Sequence, residues 1–180
     1  MKKSVRNAGF VILFGTLFFS ISSCSKDDSP ANNANNNGNI NIANLQAQIN
    51  SLPKEPLNQT ELTSLSFMRE EEKLARDVYI TLYNKWGVNI FTNISNSEQT
   101  HMDALLMLLN KYSLIDPVGS NGVGVFANTT LQTLYNQLVT QGNASVVDAY
   151  KVGATIEDLD IFDLKTALIS IDNQDIRLVY

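Results

Sequence analysis

Apolar residues recur at spacings of three and four through most of residues 58–170, a periodicity that limits this chain to helices packed through one face. Over 58–86 the stripe reads Leu65, Met68, Glu72, Ala75, Tyr79 and Leu82. Asn58 and Thr60 are good caps for it, Glu61 lies in its first turn and Gly87 is a stop. The spacing predicts a second helix from about 94 to 112, with Glu98, His101, Leu105, Leu108 and Tyr112 on one face. Asp116-Pro117 and the glycines at 119, 122 and 124 mark a long loop, and Leu131, Leu134, Tyr135 and Leu138 predict a short helix closed near Gly142. A third long helix is expected over 145–170, aligning Glu157, Ile161, Leu164 and Leu168, and Asp172 or Asn173 caps a fourth. No stretch sustains strand alternation, so the predicted class is all-α, most simply a helix bundle. Ile176, Val179 and Tyr180 begin an apolar stripe with no cap or polar tail after it, which predicts a truncated fourth helix.

The first 56 residues read differently. Lys2, Lys3 and Arg6 precede an apolar run over 10–19, and small residues lead to Cys24, the only cysteine. A basic start, a short apolar segment and a small-residue exit predict a secretory signal over 1–23. The run is short of the ~20 residues a spanning helix needs. The ending resembles a bacterial lipobox, which implies a lipidated Cys24 and a membrane anchor at the outer membrane or cell surface. Ser25-Lys26-Asp27-Asp28 resembles an acidic surface-export tag and serves equally as the start of a solvated linker. The asparagine-rich stretch after it cannot repay its ordering entropy, so 24–56 is expected to be a flexible tether, with a helical turn or two over 42–52 before Pro53 and Pro56. The folded domain is then 57–180. One cysteine excludes a disulfide framework. Without 1–23, which hold three bases and no acid, the net charge is −8, which argues against nucleic acid as a partner.

Chemistry enters where the stripes are interrupted. Glu72, Glu98 and His101 occupy faces that are otherwise apolar, and a buried unpaired carboxylate is costly. A metal ion satisfies several acids at once. Glu98-x-x-His101 puts both side chains on one helical face a turn apart, and Glu157 is the next inward acid. Carboxylates with imidazole suit iron or manganese, and the lack of thiolates argues against structural zinc.

Glu72-x-x-Ala75-Arg76-x-x-Tyr79 followed by Glu98-x-x-His101 resembles the first half of a rubrerythrin-type, ferritin-like four-helix bundle. The runs 67–79, 97–104 and 152–164 are similar to an uncharacterised ferritin-like family of bacteria and archaea, and the resemblance covers roughly 60–180. It implies Glu72 and Glu157 as terminal metal ligands, Glu98 as a bridge, His101 as a terminal ligand and Tyr79 near the site. Members of that family continue to a further histidine, whereas His101 is the only one here, which favours one metal over two. Asp160 and Asp175 are the candidate substitutes.

Simpler readings compete. Ser95-x-x-Glu98 matches a capping box, which would put Glu98 at the surface. Glu70 and Glu71 are expected in solvent, with Glu71 the second choice of ligand should the helix be rotated. The crowding of Asp158, Asp160 and Asp163 around Glu157 is the usual mark of an exposed acidic face. Tyr79, Tyr83, Trp86, Tyr112, Met102 and Met107 are expected in the core. The expected function is redox chemistry with peroxide, oxygen or ferrous iron at an iron or manganese site. The alternative is a non-catalytic envelope module that binds a protein partner or a second copy of itself.

Overall fold

Residues 40–180 are described by the structure, a computed structural model, and among them there are six helices and no strand. The expected signal segment, Cys24 and the first part of the expected tether lie outside the described residues. In chain order the helices are α1 (Ile42–Ser51), α2 (Gln59–Trp86), α3 (Asn89–Tyr112), α4 (Thr129–Gly142), α5 (Val146–Ala167) and α6 (Gln174–Val179). The chain is all-α over this region. No described helix is long and apolar enough to cross a membrane.

The axis of the fold is α2, whose 28 residues run about 42 Å. It opens with a capping box: the Asn58 side chain accepts from Glu61 N, and Glu61 Oε2 accepts from Asn58 N, both at 3.0 Å. It closes at Gly87, whose φ of 65° lies in the left-handed region that a side chain would strain. That reversal lets α3 begin at Asn89 rather than near 94, with Phe91 buried as its first anchor. Ser95 therefore lies inside the helix, where its hydroxyl donates to Thr92 O at 2.9 Å, and the capping-box reading of Ser95 and Glu98 is overturned.

Named contacts give the helix directions. Arg69 donates to Met102 O and Arg76 to Gln99 Oε1, so α3 runs antiparallel to α2. Glu71 lies near Asp163 and Tyr79 bonds Glu157, so α5 is antiparallel to α2 as well. Thr81 meets Tyr135 and Trp86 donates to Gly142 O, so α4 runs parallel to it.

Two apolar clusters divide the interior. One joins the second half of α2, from Leu74 to Leu82, to Phe91, Leu131, Leu138, Val152 and Ile156. The other joins Leu65 and Met68 to Ile49, Leu105, Leu108, Ile171 and Ile176. Ile49 is fully buried, so α1 packs into this second cluster and ordered packing starts ahead of Leu57. Lys111 fastens the end of α1 by donating to Ile49 O at 2.8 Å and Leu52 O at 3.1 Å, which offsets carbonyls a helix end would otherwise leave open. A seam separates the clusters along α2, between Met68 and Leu74, and the acids lie in it.

The long loop after α3 is pinned to α2 by buried charges. Arg69 holds Asp116 through two bonds of 3.1 and 2.9 Å, and Lys73 pairs with Asp77 and donates to Gly122 O at 2.7 Å. Asp77 in turn accepts from Gly124 N at 2.9 Å. Gly124 has a φ of 75°, and a Cβ there would stand 2.7 Å from a Tyr135 ring carbon.

Candidate metal centre

Three consecutive glutamates of α2 point, about 100° apart, toward three different neighbours. Glu70 faces the start of α4, where its carboxylate accepts from Ala127 N at 2.6 Å and Asn128 N at 3.0 Å. Glu71 faces α5, with only 1% of its surface exposed and neither carboxylate oxygen hydrogen-bonded. Glu72 faces α3. The expectation that Glu70 and Glu71 are solvated is overturned. The loop and α5 cover that side of α2, and both arrive from distant sequence, so no local pattern announces the burial.

Across from Glu72, α3 supplies Glu98 and His101. One donor atom from each of these three residues lies within 4.8 Å of the others. His101 Nδ1 stands 3.0 Å from Glu98 Oε2 and 3.2 Å from Glu72 Oε2. Both carboxylates are buried, whereas 39% of the His101 side chain is exposed, so the cluster opens to solvent on the histidine side. The Glu72 and Glu98 carboxylates outweigh burial and push the imidazole up to about 10. Burial and the adjacent Glu72 push Glu98 up, against the pull of His101. Two acids thus crowd one side of a single base. Two carboxylates and an imidazole without thiolate fit iron or manganese.

The fourth candidate ligand is not brought into this group. Glu157 is exposed on α5, and its Oε1 accepts from the Tyr79 hydroxyl at 2.6 Å, with Gly153 O at 3.1 Å from the same hydroxyl. Tyr79 itself is fully buried, as expected, and burial and the Glu157 carboxylate raise its pKa. Gly153 permits the approach, since a Cβ there would meet the Tyr79 ring at 3.3 Å. The inward face of α5 runs through Ala149, Val152, Gly153 and Ile156, while Ile161 is 50% exposed. The stripe is therefore rotated from the expected Glu157–Ile161–Leu164–Leu168 line, and it carries Asp160 toward the seam. Burial, then Glu72, Glu98 and Glu157, push Asp160 up to about 8. Extending the stripe from the apolar first half of α5, rather than from its acids, would have found Asp160.

The other candidate substitute, Asp175, lies elsewhere. Both of its oxygens accept from Tyr112 Oη at 2.9 Å, and it pairs with Lys111 at 2.6 Å. Tyr83 is 37% exposed and Trp86 and Tyr112 are half-buried, so of the expected core aromatics Tyr79 is the one fully enclosed.

Against known proteins, a family model described as an uncharacterized protein domain (DUF2202) matches residues 61–180. Over 132 residues the chain is 58% identical to an uncharacterized protein of Methanocaldococcus jannaschii, MJ0754, spanning 73% of this chain and 71% of that one. The crystal structure of the hypothetical protein MJ0754 from Methanococcus jannaschii DSM 2661 superposes with a TM-score of 0.71 at 58% identity, over 72% of this chain and 74% of that one. Neither name carries an activity.

Proposed function

The chain belongs to the uncharacterised DUF2202 domain family, and we propose that it is a ferritin-like, metal-dependent redox protein whose centre is Glu72, Glu98 and His101. The observation that supports this most is the convergence of two buried carboxylates and the only histidine on one solvent-open point. An iron or manganese ion bound there supplies a change of oxidation state and open positions for peroxide or oxygen. The residues themselves do the rest. Glu72 and Glu98 bring two negative charges into a seam between apolar clusters, where low polarity strengthens their hold on a cation. His101 must release its proton to ligate, so metal uptake competes with protonation. The cluster is reached from the exposed edge of His101, and the apolar clusters exclude bulk water on either side.

The basic start, short apolar run and Cys24 support a lipid-anchored envelope protein carrying this domain outward. A second reading, a non-catalytic module that binds a protein, draws on Phe162 and Ile169 of the α5 region, exposed by 64% and 83%. Metal analysis separates the two. The purified chain is expected to carry iron or manganese by elemental mass spectrometry, and Glu72→Ala and His101→Ala are each expected to lose the ion held at this centre. A folded parent chain that ignores added ferrous iron and manganese would overturn the redox reading.

A further inference from the structure

We propose that α2 and α5 hold a second divalent cation beside the first centre, ligated by Glu71 and Asp163. This site uses residues that the Glu72–Glu98–His101 centre does not, so each stands or fails separately.

Glu71 carries the argument. Among the described residues it is the one buried acid with neither oxygen hydrogen-bonded. Other acids of α2 at similar depth are satisfied by N–H donors: Glu61 and Glu70 by backbone amides, Asp77 by Lys73, Arg76 and Gly124 N. What faces Glu71 instead is more negative charge. The Asp163 carboxyl lies against it, with Asp160 one turn earlier on α5 and Glu72 beside it. The Lys and Arg ion pairs of the described residues all lie elsewhere, on Asp116, Asp77, Asp175 and Asp148. Acids brought together without a base need protons or a metal to stay buried, and a cation satisfies both oxygens of Glu71 where a proton satisfies one.

The donors define the ligand class. Two carboxylates with no imidazole or thiolate make an all-oxygen set, which suits a hard ion that keeps several waters, Mn²⁺ or Mg²⁺. Asp160 is within electrostatic reach of both Glu71 and the Glu72–Glu98 pair. Asp163 is half-buried rather than enclosed, so the second ion has a side open to water.

Counting ions tests this directly. The chain, freed of metal with a chelator, is dialysed against Mn²⁺, and bound manganese per chain is measured for the parent, Glu71→Gln, Asp163→Asn and His101→Ala. Two ions are expected in the parent and one in each variant. Asp163→Asn guards against a Glu71 variant that fails to fold, since Asp163 is less buried. A parent and a Glu71→Gln variant that each bind one ion, lost in His101→Ala, would overturn the second site and leave the first standing. An ion lost in Glu71→Gln and Asp163→Asn but kept in His101→Ala, in a parent that binds only one, would support this site and overturn the first. A parent that binds none would overturn both.

Discussion

Glu61 and Glu70 are buried on α2 about as deeply as Glu71 and Glu72, at 0% and 4% exposure against 1% and 6%. The first pair lies where other helices begin. Glu61 accepts from Asn58 N and from Asp172 N and Asn173 N ahead of α6, and Glu70 accepts from the amides that open α4. Both carboxylates meet the positive ends of helices and use amide donors that would otherwise be orphaned. The second pair lies in the seam, where α3 and α5 offer side chains from mid-helix, and mid-helix amides are already bonded within their own turns. Burial alone therefore says little about what an acid does. The deciding question is whether free N–H donors face it. Glu61 and Glu70 hold the fold together, Glu72 meets the imidazole of His101, and neither oxygen of Glu71 has a hydrogen-bond partner.

Metal affinity gives the sharpest break between the pairs. His101→Ala and Glu72→Ala are expected to weaken iron or manganese binding more than about 100-fold in a competition titration, whereas Glu70→Gln leaves it unchanged. Equal losses in all three would erase the distinction. Stability should show the opposite order. Glu61→Ala orphans three amides joining two helix starts and is expected to cost about 3 kcal/mol, roughly a 10 °C fall in Tm by calorimetry. Glu70→Ala should cost about 2 kcal/mol for the amides at 127 and 128. Glu71→Met changes the sign: replacing an unsatisfied buried acid by an apolar side chain of similar size is expected to raise the Tm of the metal-free protein, by about 1 kcal/mol of stability. A fall comparable to that of Glu70→Ala would mean that Glu71 belongs with the structural pair.

The smallest effect comes from an acid outside both pairs. Burial opposes the Asp116 carboxylate, but the Arg69 guanidinium and Val118 N–H outweigh it and hold it below the usual carboxylate range. A lowered folded-state pKa stabilises above the unfolded value of about 4, and that stability is lost as pH falls through the folded value. Asp116→Asn is expected to cost about 0.5 kcal/mol at pH 7, because the pair is partly in solvent, and the gap should close as pH falls below the usual carboxylate range. Melting curves of both proteins across pH 2.5–7 measure it.

Much of α2 is legible in the sequence because its signals are local. Asn58, Glu61 and Gly87 set its ends through bonds spanning a few residues, and the stripe from Leu65 to Leu82 sets its buried face. Glu72, Glu98 and His101 could be named for the same reason, as polar breaks in apolar stripes. The start of α3 is not legible in the sequence, because Gly87 permits an immediate reversal and the polar residues at 89, 92 and 93 carry no apolar period. In the second half of α5, acids and apolar residues alternate closely enough to support two registers, and only packing against Tyr79 selects one.

The sequence by itself determined that the chain is helical, where its longest helix begins and ends, and that Glu72, Glu98 and His101 interrupt apolar faces. These follow from the 3.6-residue period and from caps, whose interactions span no more than four residues. Only the tertiary structure decided which acids are satisfied. Glu61 meets amides 111 and 112 residues away, Glu70 meets them 57 and 58 residues away, and Glu71 meets none. For Glu70 and Glu71, both burial and partners are set by the elements that pack against α2 from distant sequence.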